Sequence, residues 1–194
     1  MYNLYLDTST KYLCIGIARD DTIIYSFQEE AIKKQSELTI PCLKKALEET
    51  NLSLNEIDKV VVTIGPGSFT GIRIGMCIAK VLASVKKIPL IAISSLNAYA
   101  NKGKKIVLLD ARANRAYVGI YEDNKPLIDE CVLEIDKIKE LVKQYPDFDI
   151  VLDANLLGKE SESIDVIANL HRISKDKEPV SNVDSLVPIY LKDR

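Results

Sequence analysis

The stretch GPGSFTGIRIG, residues 65–75, joins an apolar run to a long helical pattern and is the most informative segment of the chain. Residues 59–64 before it read KVVVTI, a β-branched run typical of a strand covered on both faces. After it, apolar residues recur with helical spacing from about Thr70 to Val85. A glycine-rich turn between a buried strand and a helix predicts an α/β fold.

The glycine loop suits two roles that the residues alone do not separate. Free backbone N–H groups and the positive end of a helix dipole meet at such a junction, which favours phosphate binding. The alternative is a tight turn whose glycines let the helix pack closely on the sheet. The loop lacks the Lys-Ser/Thr of a P-loop, and its glycine spacing differs by one residue from the dinucleotide fingerprint. The candidate phosphate or nucleotide residues are Asp7, Thr8, Ser9, Gly65, Gly67, Ser68, Thr70 and Gly71.

The order of predicted elements occurs twice along the chain. Three strands, a helix and a strand precede a polar linker at 101–105, and three strands, a helix and a strand follow it. This βββαβ repeat predicts two ribonuclease-H-like lobes, residues 1–102 and 103–194, with the second lobe shortened. Asp7 and Asp110 end equivalent strands, so they could face one cleft and hold a metal ion through water. Equally, each could cap its own turn.

Two helices carry more apolar surface than packing on one sheet requires. On the helix after the glycine loop the apolar arc spans roughly 220°, against about 100° for a helix on its own sheet. Small residues at 71, 75, 79 and 83 would let another helix approach, and the helix at 36–50 shows a similar pattern. The pattern predicts a partner surface, the alternative being deep burial within one fold. The residues assigned to this surface are Leu38, Cys42, Leu43, Ala46, Leu47, Ile72, Gly75, Met76, Ala79 and Ala83.

Composition indicates a soluble cytoplasmic protein with few catalytic groups. The net charge of -2 shows no basic excess of the kind that proteins binding nucleic acid alone carry. The single histidine, His171, lies in a weakly patterned tail and is predicted at the surface. The four cysteines are dispersed without a C-x-x-C and read as reduced core thiols, so no metal site is expected. The first residues, MYNLYLDTST, lack the basic and apolar regions of a signal peptide, and no apolar window reaches membrane-spanning length, so a cytoplasmic protein is expected.

Three segments together resemble a known family. Asp7-Thr-Ser-Thr10, the loop at 65–75 and Asp110-Ala-Arg112 are similar to the three signatures of the TsaB (YeaZ) subunits of the bacterial tRNA threonylcarbamoyladenosine machinery. The resemblance covers roughly residues 1–121, and the ending Pro188 to Lys192 is similar to the family's close, where Arg is usual instead of Lys192. Arg115 departs from the family, which often carries an acid there.

The resemblance implies a fold of the actin-like ATPase and sugar-kinase type and a scaffold role. Such a subunit binds and activates the catalytic subunit TsaD, which adds threonylcarbamoyl to the adenosine beside the anticodon of tRNA. It implies contact with TsaD through the first two long helices, a homodimer through the same surface when alone, and tRNA contact only through the complex. The ATPase TsaE joins the pair, and ATP and metal are expected on the partner subunits, with no cofactor on this chain.

Residue by residue, the resemblance separates this chain from the catalytic subunit. Residues 34–39, KQSELT, contain no histidine where the catalytic subunit carries two metal-binding histidines. Asp110 and Arg112 are expected to line a cleft. The alternative function is a stand-alone actin-like kinase or ATPase, which Asp7, the Thr8-Ser9 turn and the glycine loop motivate.

Overall fold

The computed structural model describes residues 1–191 and divides them into two compact units. The first unit contains Met1–Ser95 and Val166–Ile189, and the second contains Leu96–Asp165 and, from Tyr190, the end of the described chain. The sequence placed all residues from 103 in the second lobe, and the structure differs because residues 166–189 pack on the first unit. Lys192, the last residue of the family-like ending, lies outside the described residues.

The first unit is built on a five-stranded mixed sheet, here called sheet A. Its strand order is β3-β2-β1-β4-β5, in which β1, β2 and β3 form an antiparallel meander and β4 and β5 add in parallel to β1. The strands are β1 (Tyr2–Asp7), β2 (Tyr12–Arg19), β3 (Thr22–Glu30), β4 (Ile57–Thr63) and β5 (Leu90–Ile93). Its helices are α1 (Gln35–Thr50), α2 (Phe69–Lys86) and, from the far end of the chain, α5 (Val166–Ile173).

Side-chain alternation explains how both faces of sheet A are covered. Leu4 and Leu6 of β1 point into the core beneath α1 and α2. Tyr5 lies between them in sequence, so it points to the opposite face, where it meets α5. The near-continuous apolar runs of these strands follow from burial on both sides.

The second unit repeats the order of the first on a smaller scale. Its strands are β6 (Lys104–Arg112), β7 (Arg115–Glu122), β8 (Lys125–Pro126), β9 (Cys131–Glu134) and β10 (Asp149–Leu152), and its helices are α3 (Ser95–Ala100) at the boundary and α4 (Ile135–Lys143). β10 adds in parallel to β6, as β4 adds to β1, and β7 pairs with β6 and β9 in antiparallel fashion. The predicted βββαβ repeat is therefore confirmed.

Within residues 1–191, no helix combines the length and the apolar character needed to cross a membrane.

Candidate functional site

The glycine loop packs against the turn that follows β1. The Thr8 hydroxyl donates a hydrogen bond of 2.6 Å to the Gly71 carbonyl, and the Ser68 amide donates one of 2.7 Å to the Ser9 carbonyl. A Cβ added at Gly71 would overlap the Thr8 carbonyl oxygen, and one added at Gly75 would lie 2.7 Å from the Thr8 hydroxyl oxygen. Close packing therefore accounts for both helix glycines.

The rest of the loop sets the start of helix α2. Ser68 is the N-cap, and its hydroxyl accepts the Gly71 amide at 3.2 Å. Gly65 and Gly67 have φ values of 104° and 150°, which residues with a Cβ rarely adopt. Ser68 and Thr70 are exposed, whereas Gly65 and Gly71 are buried. Phosphate binding by this loop stays a prediction.

Asp7 is fully buried at the end of β1 and is used inside the fold. One of its carboxylate oxygens, Oδ1, accepts hydrogen bonds from the Ser9 amide at 2.9 Å, the Ser9 hydroxyl at 2.5 Å and the Thr63 hydroxyl at 2.6 Å. A buried carboxylate needs such donors. These contacts fit the interpretation of Asp7 as a cap of its own turn.

The small-residue side of α2 faces the protein's own sheet, which corrects the predicted interface. Five of the residues assigned to a partner are buried on the inner side of α2: Ile72, Gly75, Met76, Ala79 and Ala83. Ala79 and Ala83 belong to the core cluster that contains Val60 and Val62 of β4. The small side chains let α2 approach its own sheet, so these residues are not available to a partner.

Helix α1 needs the same correction in part. Leu43, Ala46 and Leu47 are buried in the core beneath α1, whereas Leu38 is exposed and Cys42 is half-buried. Of the ten residues assigned to the partner surface, only Leu38 and Cys42 remain at least partly exposed.

A different set of apolar residues is exposed on these two helices, which contact each other. Val81 is 55% exposed, Val85 77% and Ile40 57%, and half-buried Ile74, Ile78 and Leu82 lie between the exposed and buried sides of α2. Val81 and Val85, one turn apart on α2, are here called the α1–α2 face, because α2 also contacts α1. Leu38 and Ile40 are exposed on α1 but are two positions apart, so they point to different sides of that helix. Helix α2 contains no Asp or Glu, so no acidic side chain of that helix interrupts its part of the face.

The partner surface predicted from the sequence did not include this face. Val81 and Val85 lie on the side of α2 that helical spacing shares with Gly71, and they were not among the residues assigned to the partner surface. An apolar arc of 220° contains both the inward and the outward side. Periodicity alone gives no means of telling which is which.

Asp110 and Arg112 lie at an exposed turn of the second unit. Asp110 accepts the Arg112 amide at 2.7 Å, and its own amide donates to the Asp153 carboxylate at 2.9 Å. Arg112, Ala113 and Asn114 all have positive φ values, between 51° and 64°. Asp110 thus caps its own turn, as Asp7 does in the first unit. A cleft role for Asp110 and Arg112 stays a prediction.

His171 is buried, so the prediction of a surface histidine is wrong. Its ring lies against β1, with Nδ1 2.7 Å from the Tyr5 hydroxyl oxygen. Cys77 is also misplaced by the sequence, because it is exposed on α2, whereas Cys14 and Cys131 are buried as predicted. Among residues 1–191, no group of three or more His, Cys, Asp or Glu side chains is arranged to hold a metal ion.

The two sheets, each with a parallel strand added to an antiparallel meander, place the chain in the actin-like ATPase and sugar-kinase fold class. YeaZ from Pseudomonas aeruginosa superposes with a TM-score of 0.81 at 20% identity, over 98% of this chain and 99% of that chain. The family model described as "TsaD: tRNA N6-adenosine threonylcarbamoyltransferase" matches residues 24–171.

Sequence relatives narrow this class to one family. The Bacillus subtilis protein named "tRNA threonylcarbamoyladenosine biosynthesis protein TsaB" is 30% identical over 97% of this chain and 93% of its own length. A protein of the same name from Buchnera aphidicola subsp. Schizaphis graminum is 32% identical over 73% of this chain and 72% of its own. The chain belongs to the TsaB family.

Proposed function

We propose that this chain acts in the biosynthesis of threonylcarbamoyladenosine in tRNA, as a non-catalytic subunit that binds and activates the TsaD transferase. Membership of the TsaB family supports the pathway, since the relatives carry that biosynthesis in their names. The exposure of apolar side chains on the α1–α2 face is the observation that supports the binding role. TsaE joins the pair, tRNA is reached only through the complex, and ATP and metal are held by the partner subunits.

The α1–α2 face has the chemistry of an interface centre. Fully burying a valine side chain contributes about 1.5–3 kcal/mol, so Val81 and Val85 together can contribute several kcal/mol on docking. In a free monomer the exposed parts of these side chains, 55% of Val81 and 77% of Val85, make no contribution from burial. The same face serves a homodimer when the chain is alone, and the homodimer therefore competes with TsaD.

The non-catalytic role is supported by how the fold uses its reactive groups. His171, the single histidine of the sequence, is buried against Tyr5. Asp7 is buried with three hydrogen bonds on one oxygen. Both groups thus have a structural use that accounts for their presence.

A paired substitution tests the binding face. The variant Val81→Glu with Val85→Glu is expected to keep its circular dichroism spectrum and melting temperature, because both positions are exposed. Its dissociation constant for TsaD, measured by isothermal titration calorimetry, should rise at least about a hundredfold, the equivalent of two lost valine contacts. Threonylcarbamoyl transfer to tRNA at limiting subunit concentration should fall with it.

Two controls separate binding from folding. Leu127→Glu, at an exposed aliphatic residue of the second unit, should leave TsaD affinity unchanged. Ala79→Glu should unfold the protein, because the charge enters the core. The proposal fails if the wild-type chain and TsaD form no complex at micromolar concentration, or if the paired variant binds as tightly as wild type.

A further inference from the structure

A buried hydrogen bond between Tyr5 and His171 links helix α5 to sheet A. The Tyr5 hydroxyl oxygen and His171 Nδ1 lie 2.7 Å apart, and the two rings meet edge to face with centroids 5.7 Å apart. Tyr5 is fully buried and His171 is 8% exposed. The Tyr5 hydroxyl can donate to Nδ1 or accept from it, so this bond alone does not fix the protonation state of the ring.

Apolar packing around the pair holds the imidazole in place. Helix α5 buries Val166, Ile167, Leu170 and Ile173 on this face of the sheet. Gly16 of β2 leaves room for the Ile167 side chain, because a Cβ at position 16 would overlap Ile167 Cγ2. The imidazole is therefore largely removed from water while α5 is docked.

The second ring nitrogen of His171 has no hydrogen-bond partner. Nε2 is buried and has no hydrogen-bond partner, and the same is true of the Oδ1 of Asn3 on β1. A neutral imidazole leaves one nitrogen without a partner, whereas an imidazolium must place two N–H donors. Protonation would place a positive charge on a ring that is largely removed from water, and burial disfavours the charged form.

The charged groups around His171 do not reverse this preference. The titratable groups that act on the ring are Tyr5 on β1, Asp21 in the β2–β3 turn, Lys59 on β4 and Lys175 after α5. Burial, with a contribution from Lys175, lowers the pKa of His171 from its usual 6.5, and the Asp21 main chain and carboxylate only partly oppose it. Asp21 is itself paired with Lys175, which reduces its effect on the ring.

We propose that His171 is an acid-sensitive latch, whose protonation releases helix α5 from sheet A of the first unit. The docked state favours the neutral ring, so its stability is fully present above pH 6.5 and declines as the pH falls below 6.5. Between pH 7.5 and 5.5 a released imidazole of pKa about 6.5 takes up nearly one proton, which shifts the release equilibrium by up to about tenfold.

Because His171 is the single histidine of the sequence, every imidazole signal in an NMR titration comes from it. In the full-length chain without a histidine tag, NMR should show one imidazole titrating with a midpoint below 6.5. Exchange protection of the α5 amides, corrected for intrinsic exchange rates, should fall about tenfold from pH 7.5 to 5.5. Amides of α4 around Ile138, a buried residue of the second unit, should change less.

The variant His171→Gln supplies the matched comparison. Glutamine does not titrate, so the pH dependence of α5 protection should disappear even if the overall protection changes. An imidazole midpoint at or above 6.5 in the wild type would overturn the proposal. So would α5 protection that is independent of pH, or an equal pH dependence in the glutamine variant. The titration of the wild-type chain decides the question even if the variant does not fold.

Discussion

Gly71 marks the closest approach between helix α2 and the turn after β1. In an exposed helix, Gly→Ala would stabilise by about 1 kcal/mol. Here the added methyl group meets the Thr8 carbonyl oxygen, so we expect Gly71→Ala to destabilise by about 1–3 kcal/mol instead. Urea denaturation gives the sign, and Thr70→Ala at the exposed neighbouring position is the control. A stabilised Gly71→Ala variant would show that this glycine does not serve packing.

The sequence predicted which residue types the site requires better than it predicted what each residue contacts. The sequence showed that the glycine loop needs its glycines, and left open whether a ligand or a neighbouring chain approaches them. The contact at Gly71 comes from Thr8, 63 residues earlier. His171 was misplaced for the same reason, since its partner Tyr5 is 166 residues away. Local patterns carry no information about contacts over such separations.

Helix α2 shows the same limit at the scale of an element. Its existence and bounds followed from periodicity, and the prediction of about Thr70 to Val85 agrees closely with Phe69–Lys86. Its orientation did not follow, because a helix that is apolar on two sides can bury either one. The small residues turned inward, where α2 packs on β4, and the branched residues Val81 and Val85 turned outward.

The chain after α5 is bonded to α2 through the side chain of Lys80. The Lys80 ammonium group donates to the Asp184 and Leu186 carbonyls, at 3.0 Å each. Removing these bonds in Lys80→Ala should free the segment locally, at a cost of about 1 kcal/mol. Thermolysin cleavage next to Leu186, followed by mass spectrometry, should become several times faster.

The melting temperature should change little in Lys80→Ala, because the segment opens without the core. Lys44→Ala, at an exposed lysine of α1, is the control and should leave the cleavage rate at wild-type level. Equal cleavage rates in Lys80→Ala and wild type would show that the backbone bonds of Val180 and Ile189, to Leu90 and Ile64, hold the segment without help.

For the whole molecule, the repeated βββαβ order was enough to predict the fold class. The division of the chain was not predictable, because α5 is only eight residues long and follows a stretch of weak patterning. Such a short helix gives no periodic signal that assigns it to one sheet or another. The complementary signal lies in β2, where Gly16 leaves the space that Ile167 fills, and this pairing becomes visible only in three dimensions.

The first unit should therefore be unable to fold without the end of the chain. Four apolar side chains of α5 are buried there, and at about 1.5–3 kcal/mol each they contribute an amount comparable to the whole stability of a domain. A chain ending at Asp165, and equally the predicted lobe 1–102, should lack dispersed NMR signals from β1 and β2. Adding a peptide of residues 166–189 to the chain ending at Asp165 should restore them. The same peptide with Ile167→Glu should not, because a carboxylate cannot fill the apolar space over Gly16. Dispersed β1 and β2 signals in either truncated chain would contradict this dependence and would show that sheet A is stable without α5.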